Sequence, residues 1–138
     1  MKIVSVGEVT VDHYLNQNLS FVGGIGLNFA VQAKRSGAEN VSMVSCVGDG
    51  SYGAWVLATL AKEQIDTTHL AVLAGKTAEI DIEVDEDGER FFPPGGFQLN
   101  VLGQLQLTEN AKAFIAQHDV VSTQYDGEAA DSLTAQLL

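Results

Sequence analysis

A chain of 138 residues is long enough for one domain or for part of a larger one, and 46% hydrophobic with 18% charged residues is globular composition, not disorder. Its 18 acidic residues outnumber 7 basic ones, and a net charge of −11 makes phosphate backbones and anionic headgroups poor partners: no nucleic acid and no membrane are expected. No apolar run approaches the roughly 20 residues that span a bilayer, the opening MKIVSVGEV lacks the pattern of a secretory signal, and the single Cys46 cannot form an internal disulfide, so a cytoplasmic location is expected.

In chain order, Lys2 to Gly7 is a β-branched run ending in Gly, the pattern of a buried parallel strand. Glu8 to Asn16 alternates: Val9, Val11, His13 and Leu15 share one face, Thr10, Asp12, Tyr14 and Asn16 the other, which predicts a half-exposed strand. Asn16-Gln17-Asn18 is turn chemistry, and Leu19 to Val22 returns as a second strand. Gly23-Gly24-Ile25-Gly26 opens a helix over Leu27–Ser36 that Gly37 closes, with Lys34 and Arg35 complementing the dipole in its last turn. Asn40 to Val47 is a strand by composition. Ser51 is placed to cap a helix over Tyr52–Lys62, on which Tyr52, Trp55, Val56, Thr59 and Leu60 fall at core-facing spacing; Trp55 is expected in the core.

Leu70 to Leu73 is a short strand. Thr77 to Asp85 alternates apolar and acidic residues, turns at Asp85-Glu86-Asp87-Gly88 and returns over Glu89 to Phe92, the clearest hairpin in the chain; Pro93-Pro94-Gly95-Gly96 ends it. Thr108 caps a helix reaching Gln117, Asp119 to Thr123 reads as another buried strand, and Gly127 to Leu138 as a helix capped by Asp126. Strands alternating with helices predict an α/β fold with a mostly parallel sheet, and the two hairpins, with their polar faces, a small accessory sheet beside it. A last helix ending in Leu137-Leu138 suggests that sheet and core continue beyond residue 138; the alternative is a C-terminal helix docked on the core.

The Gly-rich segment at 23–26 is the most informative stretch. Glycines ahead of a helix let main-chain N–H groups approach a ligand, or simply make a tight turn into a closely packed helix. The segment is not a phosphate loop, since no Gly-Lys-Ser/Thr follows, nor a dinucleotide fingerprint, since Phe29 stands at the third glycine site. Asn28, in the first turn of an apolar helix, has an amide able to donate to and accept from a polyol. Asp12 is a carboxylate that can accept from two sugar hydroxyls. His13, His69 and His118 lack ligand spacing, so no metal site is assigned; Cys46 reads as a small core residue and Asp85-Glu86-Asp87 as a solvated turn.

Gly23-Gly24, then Asn28, a small Ala30 two further on, and Gly37 after a gap of six resemble the first signature of the ribokinase-type (PfkB) carbohydrate kinases. Val47-Gly48-Asp49 resembles the family's following Gly-Asp turn, with Gly48 one residue late and Gly50 where a second Asp is common. Val6-Gly7 through Asp12 resembles its first strand and sugar-binding Asp, and Thr77 through Arg90 its second lid hairpin. The resemblance runs along the whole chain in order. It implies a three-layer α/β/α ribokinase-like sheet with a small β lid of two hairpins, residues 1–138 being an incomplete, N-terminal portion with lid segments at about 9–22 and 76–93.

The function implied is phosphoryl transfer from ATP, with Mg2+, to a sugar hydroxyl. Asp12, Gly23, Gly24 and Asn28 would grip the sugar, with Arg90 and Asp126 as further contacts. The short first hairpin is closest to the fructosamine and fructoselysine kinase branch, and Ile25, where ribokinase carries Lys, argues against ribose. The family's second signature, a Gly-Ala-Gly-Asp stretch bringing the catalytic base and an anion-stabilising helix N-terminus, does not occur in these residues. The ATP site and base are therefore expected in a missing C-terminal half, no catalytic residue is assigned, and the segment alone is expected to be inactive. The alternative is a non-catalytic sugar- or partner-binding module derived from such a kinase. The partners expected are a small-molecule sugar and a second copy of the chain, through the β lid or, if the sheet is cut at residue 138, through its open edge.

Overall fold

The computed structural model describes residues 1–123, 133 and 135–137. The elements are β1 (Lys2–Val6), β2 (Thr10–Tyr14), β3 (Leu19–Gly23), α1 (Ile25–Arg35), β4 (Asn40–Gly48), α2 (Ser51–Lys62), β5 (Leu70–Leu73), β6 (Glu79–Val84), β7 (Arg90–Phe91), β8 (Phe97–Gln98), a 3-10 turn (Asn100–Gln104), α3 (Glu109–Ile115) and β9 (Val120–Thr123). Four strands, in the order β5-β4-β1-β9, make a wholly parallel sheet, with Lys2 opposite Asn40 and Ile3 opposite Val120. The others make a lid sheet in the order β3-β2-β6-β7, with β8 also on β6.

The continuous apolar runs of β1 and β4 follow from burial on both faces. Val41, Met43 and Val47 of β4 pack with Leu27, Ala30 and Val31 of α1 and Val56 and Leu60 of α2. Val4, Val6 and Val44 pack with Leu107, Ile115 and Leu133 on the opposite side. Helices therefore cover both faces, the expected three-layer arrangement. Thr108 caps α3 as expected, its Oγ1 accepting from Ala111 N at 3.0 Å, and Gly37, at φ +101°, closes α1.

Several expectations change. Helix α1 begins at Ile25, two residues early, and Ser51 is the first residue of α2 rather than its cap, a place taken by Gly50. Trp55 and Tyr52 are 39% and 37% exposed, so neither is core; the buried stripe of α2 is Gly53, Val56 and Leu60. A Cβ on Gly53 would collide with the Gly48 carbonyl oxygen, so the helix approaches β4 more closely than a side chain there allows. The expected buried strand at 119–123 is β9, at the edge of the sheet, with Val121 43% exposed. The two hairpins do form one small sheet, as expected: β2 and β6 pair in parallel, Val11 opposite Glu79 and Tyr14 opposite Ile82. The Asn16 amide extends that ladder, its Nδ2 donating to Val84 O and its Oδ1 accepting from Val84 N at 3.2 Å. Beyond the Pro-Pro-Gly-Gly break the chain returns to β6 as β8, which the sequence reading omitted. Asp126 and most of the helix expected over 127–138 lie outside the described residues; 133 and 135–137 are helical.

Candidate functional site

Strand β2 rises from the core, where Thr10 and Val11 are fully buried, into the lid. Because side chains alternate along a strand and paired residues share a face, the register defines one lid face row by row. Nearest the core lie Thr10 and Gly23. Next come Phe21, Asp12, Ile80 and Phe97, then Leu19, Tyr14 and Ile82, and finally Val84 and Arg90. Of the residues so placed, two are charged: Asp12 and Arg90. Glu79, Asp81 and Glu83 of β6 fall on the opposite face.

Asp12 is held on two sides. Thr10 Oγ1 donates to Asp12 Oδ1 at 2.6 Å, and the other oxygen occupies the space a side chain at Gly23 would need: a Cβ there would collide with Oδ2 and lie 3.0 Å from Cγ. Burial pushes the Asp12 carboxyl above its ordinary range, with the Thr10 hydroxyl, His13 and Arg90 pulling it back. A half-buried carboxylate fixed by one hydroxyl, with its remaining lone pairs open, is an acceptor for hydroxyl groups.

The glycines divide their labour. A Cβ on Gly24, at φ +100°, would lie 2.8 Å from the Glu8 carbonyl oxygen, as would one on Gly26. Leu27 N donates to Glu8 O at 3.1 Å and Ser5 Oγ to Gly26 O at 2.8 Å. Gly24 and Gly26 thus seat the start of α1 against the β1–β2 connection, and any ligand contact at Gly24 is made by its main chain. Gly23 makes room for Asp12. Asn28 is exposed in the first turn of α1; its N–H donates to Gly24 O at 2.9 Å, and among the described residues its side-chain amide has no hydrogen-bond partner. Arg90 is exposed, its Cζ 5.7 Å from the centroid of the Tyr14 ring, and among the described residues it forms no ion pair.

The structure brings Asp12 and Gly23 into contact, with Gly24 next in the chain and Asn28 one helical turn on. Arg90 stands higher on the lid, and Asp126 lies outside the described residues. Sequence reasoning missed Thr10 and Tyr14. Thr10 was visible as the residue two before Asp12 on the same face of a strand; Tyr14 had no local signal pointing to Arg90.

His13 is a strut on the opposite lid face: Nε2 lies 2.8 Å from Glu79 Oε1, Nδ1 2.7 Å from Ser20 Oγ, and the ring 5.7 Å from that of Tyr52. Cys46 is buried, its Sγ 3.3 Å from Val101 O, with burial pushing the thiol up to about 11, so it is no nucleophile. Asp85 Oδ1 accepts from the N–H groups of Asp87 and Glu89, each at 2.9 Å, and so closes the hairpin turn. Among the described residues no group of three or more His, Cys, Asp or Glu could hold a metal ion, and no helix is long and apolar enough to cross a membrane. The Gly-rich segment does not fit a nucleotide phosphate cradle, because Gly24 and Gly26 are packed on the Glu8 backbone.

Residues 1–136 match the pfkB family carbohydrate kinase pattern. The chain is 34% identical over 126 residues to fructosamine kinase FrlD of Bacillus subtilis (strain 168), covering 89% of this chain and 43% of that protein. It is 32% identical over 130 residues to fructoselysine 6-kinase of Escherichia coli (strain K12), covering 94% and 48%. In fold it is similar to the fructokinase of Halothermothrix orenii, with a TM-score of 0.77 at 20% identity, covering 99% of this chain and 52% of that one. The chain thus spans about half the length of the curated relatives it matches. With the glycine pair, the lid and the three-layer sheet in place, the chain belongs to the pfkB family of carbohydrate kinases.

Proposed function

We propose that this chain is the sugar-binding portion of an ATP-dependent carbohydrate kinase, and that its sugar is an amine-substituted ketose of the kind named for its relatives, a fructosamine. The observation that carries the reading is the Asp12 carboxylate, braced by Thr10 and accommodated by Gly23 on an otherwise largely apolar lid face. Asp12 accepts from two hydroxyls of the ligand, and the Asn28 amide donates to and accepts from others. The apolar rows of the lid keep water away from them. ATP and Mg2+, which the family implies, have no fitting residues among those described, so no step of the transfer is assigned here. The open edge of β3 suits lid-to-lid pairing of two copies.

The test is calorimetric titration of the purified protein with fructoselysine. Asp12→Asn and Asn28→Ala are each expected to weaken binding about tenfold or more, the worth of a hydrogen bond to a charged or polar sugar contact, without loss of the folded state by circular dichroism. Unchanged affinity in both variants overturns the site. Sugar-dependent ATP consumption by the whole protein isolated from its natural source marks the kinase; sugar binding by that protein without ATP consumption marks the non-catalytic module.

A further inference from the structure

The lid face has a second polar station that hydroxyl recognition does not use. In a chain with 18 acidic and 7 basic residues, Arg90 is a cation left without an ion pair among the described residues, although β6 beside it carries Glu79, Asp81 and Glu83. The register explains this, because those carboxylates fall on the other face. The guanidinium lies instead over the Tyr14 ring, a placement that leaves its in-plane N–H fork open for a planar anion.

The spacing to the sugar site can be read from the strands. Asp12 is in register with Ile80 and Arg90 with Val84, four residues along β6, or about 13 Å at strand rise. The Arg90 head leans back over Tyr14, which is level with Ile82, so its distance beyond Asp12 falls to roughly 7 Å. Between the two charges the face is apolar, with the Tyr14 ring partly exposed and Ile82 buried.

An amine-substituted ketose of the fructoselysine type carries hydroxyls at one end and a carboxylate at the other, on a flexible chain. Its 6-hydroxyl accepts phosphate in the 6-kinase relative, and the amino acid hangs from C1 at the other end of the sugar. From the sugar-bearing nitrogen an extended lysyl chain of four methylenes carries its α-carboxylate about 7–8 Å away, so the carboxylate stands roughly 12 Å from the sugar hydroxyls in the extended ligand and comes within reach of the Arg90 head as the methylenes fold.

We propose that Arg90, held on the Tyr14 ring, is a carboxylate subsite that takes the amino-acid end of an amine-linked sugar, and so selects such conjugates over sugars lacking that carboxylate. This rests on the sugar-binding reading above. Asp12 grips the hydroxyl end, Tyr14 lines the path of the methylenes, and Arg90 receives the carboxylate in a charge-assisted, two-point contact.

The experiment is calorimetric titration of the purified protein with two probes: fructoselysine and the same ketosamine built on 1,5-diaminopentane, which lacks only the carboxylate. The wild-type protein is expected to bind fructoselysine about tenfold or more tightly than the decarboxylated probe. Arg90→Gln is expected to bring the two affinities together, and Arg90→Lys, which keeps the charge but not the fork, to retain part of the ratio. Equal wild-type affinity for both probes overturns the subsite and leaves the sugar site standing. So does an Arg90→Gln variant that keeps the full ratio. If the wild-type protein binds neither probe, the sugar-binding reading itself fails, and the subsite with it.

Discussion

The neighbouring glycines 23 and 24 are expected to fail in opposite ways when each is given a methyl group. At Gly23 the backbone conformation is open to any residue, and the obstruction is one side chain: the new Cβ would collide with Asp12 Oδ2 and lie 3.0 Å from Cγ and 3.3 Å from Oδ1. Asp12 is half-buried on the lid face and can swing away, losing the Thr10 hydrogen bond. Gly23→Ala should therefore reduce stability by only about 1 kcal/mol, the worth of that bond. Ligand binding should suffer more, because a displaced carboxylate forfeits a charged contact worth roughly 1.5–3 kcal/mol, a ten- to hundredfold loss of affinity for fructoselysine. At Gly24 the obstruction is backbone: φ is +100°, and the Cβ would lie 2.8 Å from Glu8 O and 3.0 Å from Val9 Cα. Neither can rotate away. Gly24→Ala should lose about 2–4 kcal/mol from backbone strain and overpacking together. Urea denaturation followed by circular dichroism, paired with titration calorimetry, reads both quantities. A Gly23→Ala variant that binds as tightly as the parent refutes the placement of Asp12 in the site. A Gly24→Ala variant of parental stability refutes the packing account of α1.

Three further outcomes follow from named contacts. Burial raises the Asp12 carboxyl above its ordinary value, so between that value and the raised one the folded state holds a proton the unfolded chain has lost. That contribution to stability falls as pH rises through the window and stays lost above it; Asp12→Asn, which can still accept from Thr10, should flatten the fall and raise the urea midpoint at neutral pH, and a lower midpoint would contradict this. Gly53→Ala places a Cβ against the Gly48 carbonyl, an immovable main-chain group, and should cost about 3 kcal/mol or more, measurable as a lowered thermal midpoint. With its thiol pushed up to about 11, Cys46 is only about one part in a thousand thiolate at pH 8, so a thiol-specific chromophoric disulfide should react in urea but not with the native protein.

What the sequence disclosed depended on how local the signal was. β1, β4, α1 and the tip of the second hairpin each carry their pattern within a dozen residues, and each was legible. The face of α2 was misread because its first buried position is a glycine. Hydrophobic spacing turned attention to Tyr52 and Trp55, while close approach to Gly48 had selected Gly53. β8 escaped notice because two residues after a Pro-Pro-Gly-Gly break carry no periodicity. β9 reads as buried from Val120 and Val121, yet edge position is a property of topology. The same division holds in the candidate site: Asp12, Gly23 and Asn28 could be singled out from their immediate surroundings, whereas the Arg90–Tyr14 contact joins residues with nothing local to connect them.

The parallel pairing of β2 with β6 also bears on the order in which the molecule forms. Val11 meets Glu79 only after the intervening chain, with α1, β4, α2 and β5, has been brought into place, so the lid is a contact of long sequence separation closed against a large loop entropy. Each lid hairpin taken singly is marginal in water. Assembly of the lid should lag behind the shorter-range pairing of β1 with β4, leaving an interval in which that part of the core has formed while Asp12 and Arg90 do not yet share a surface.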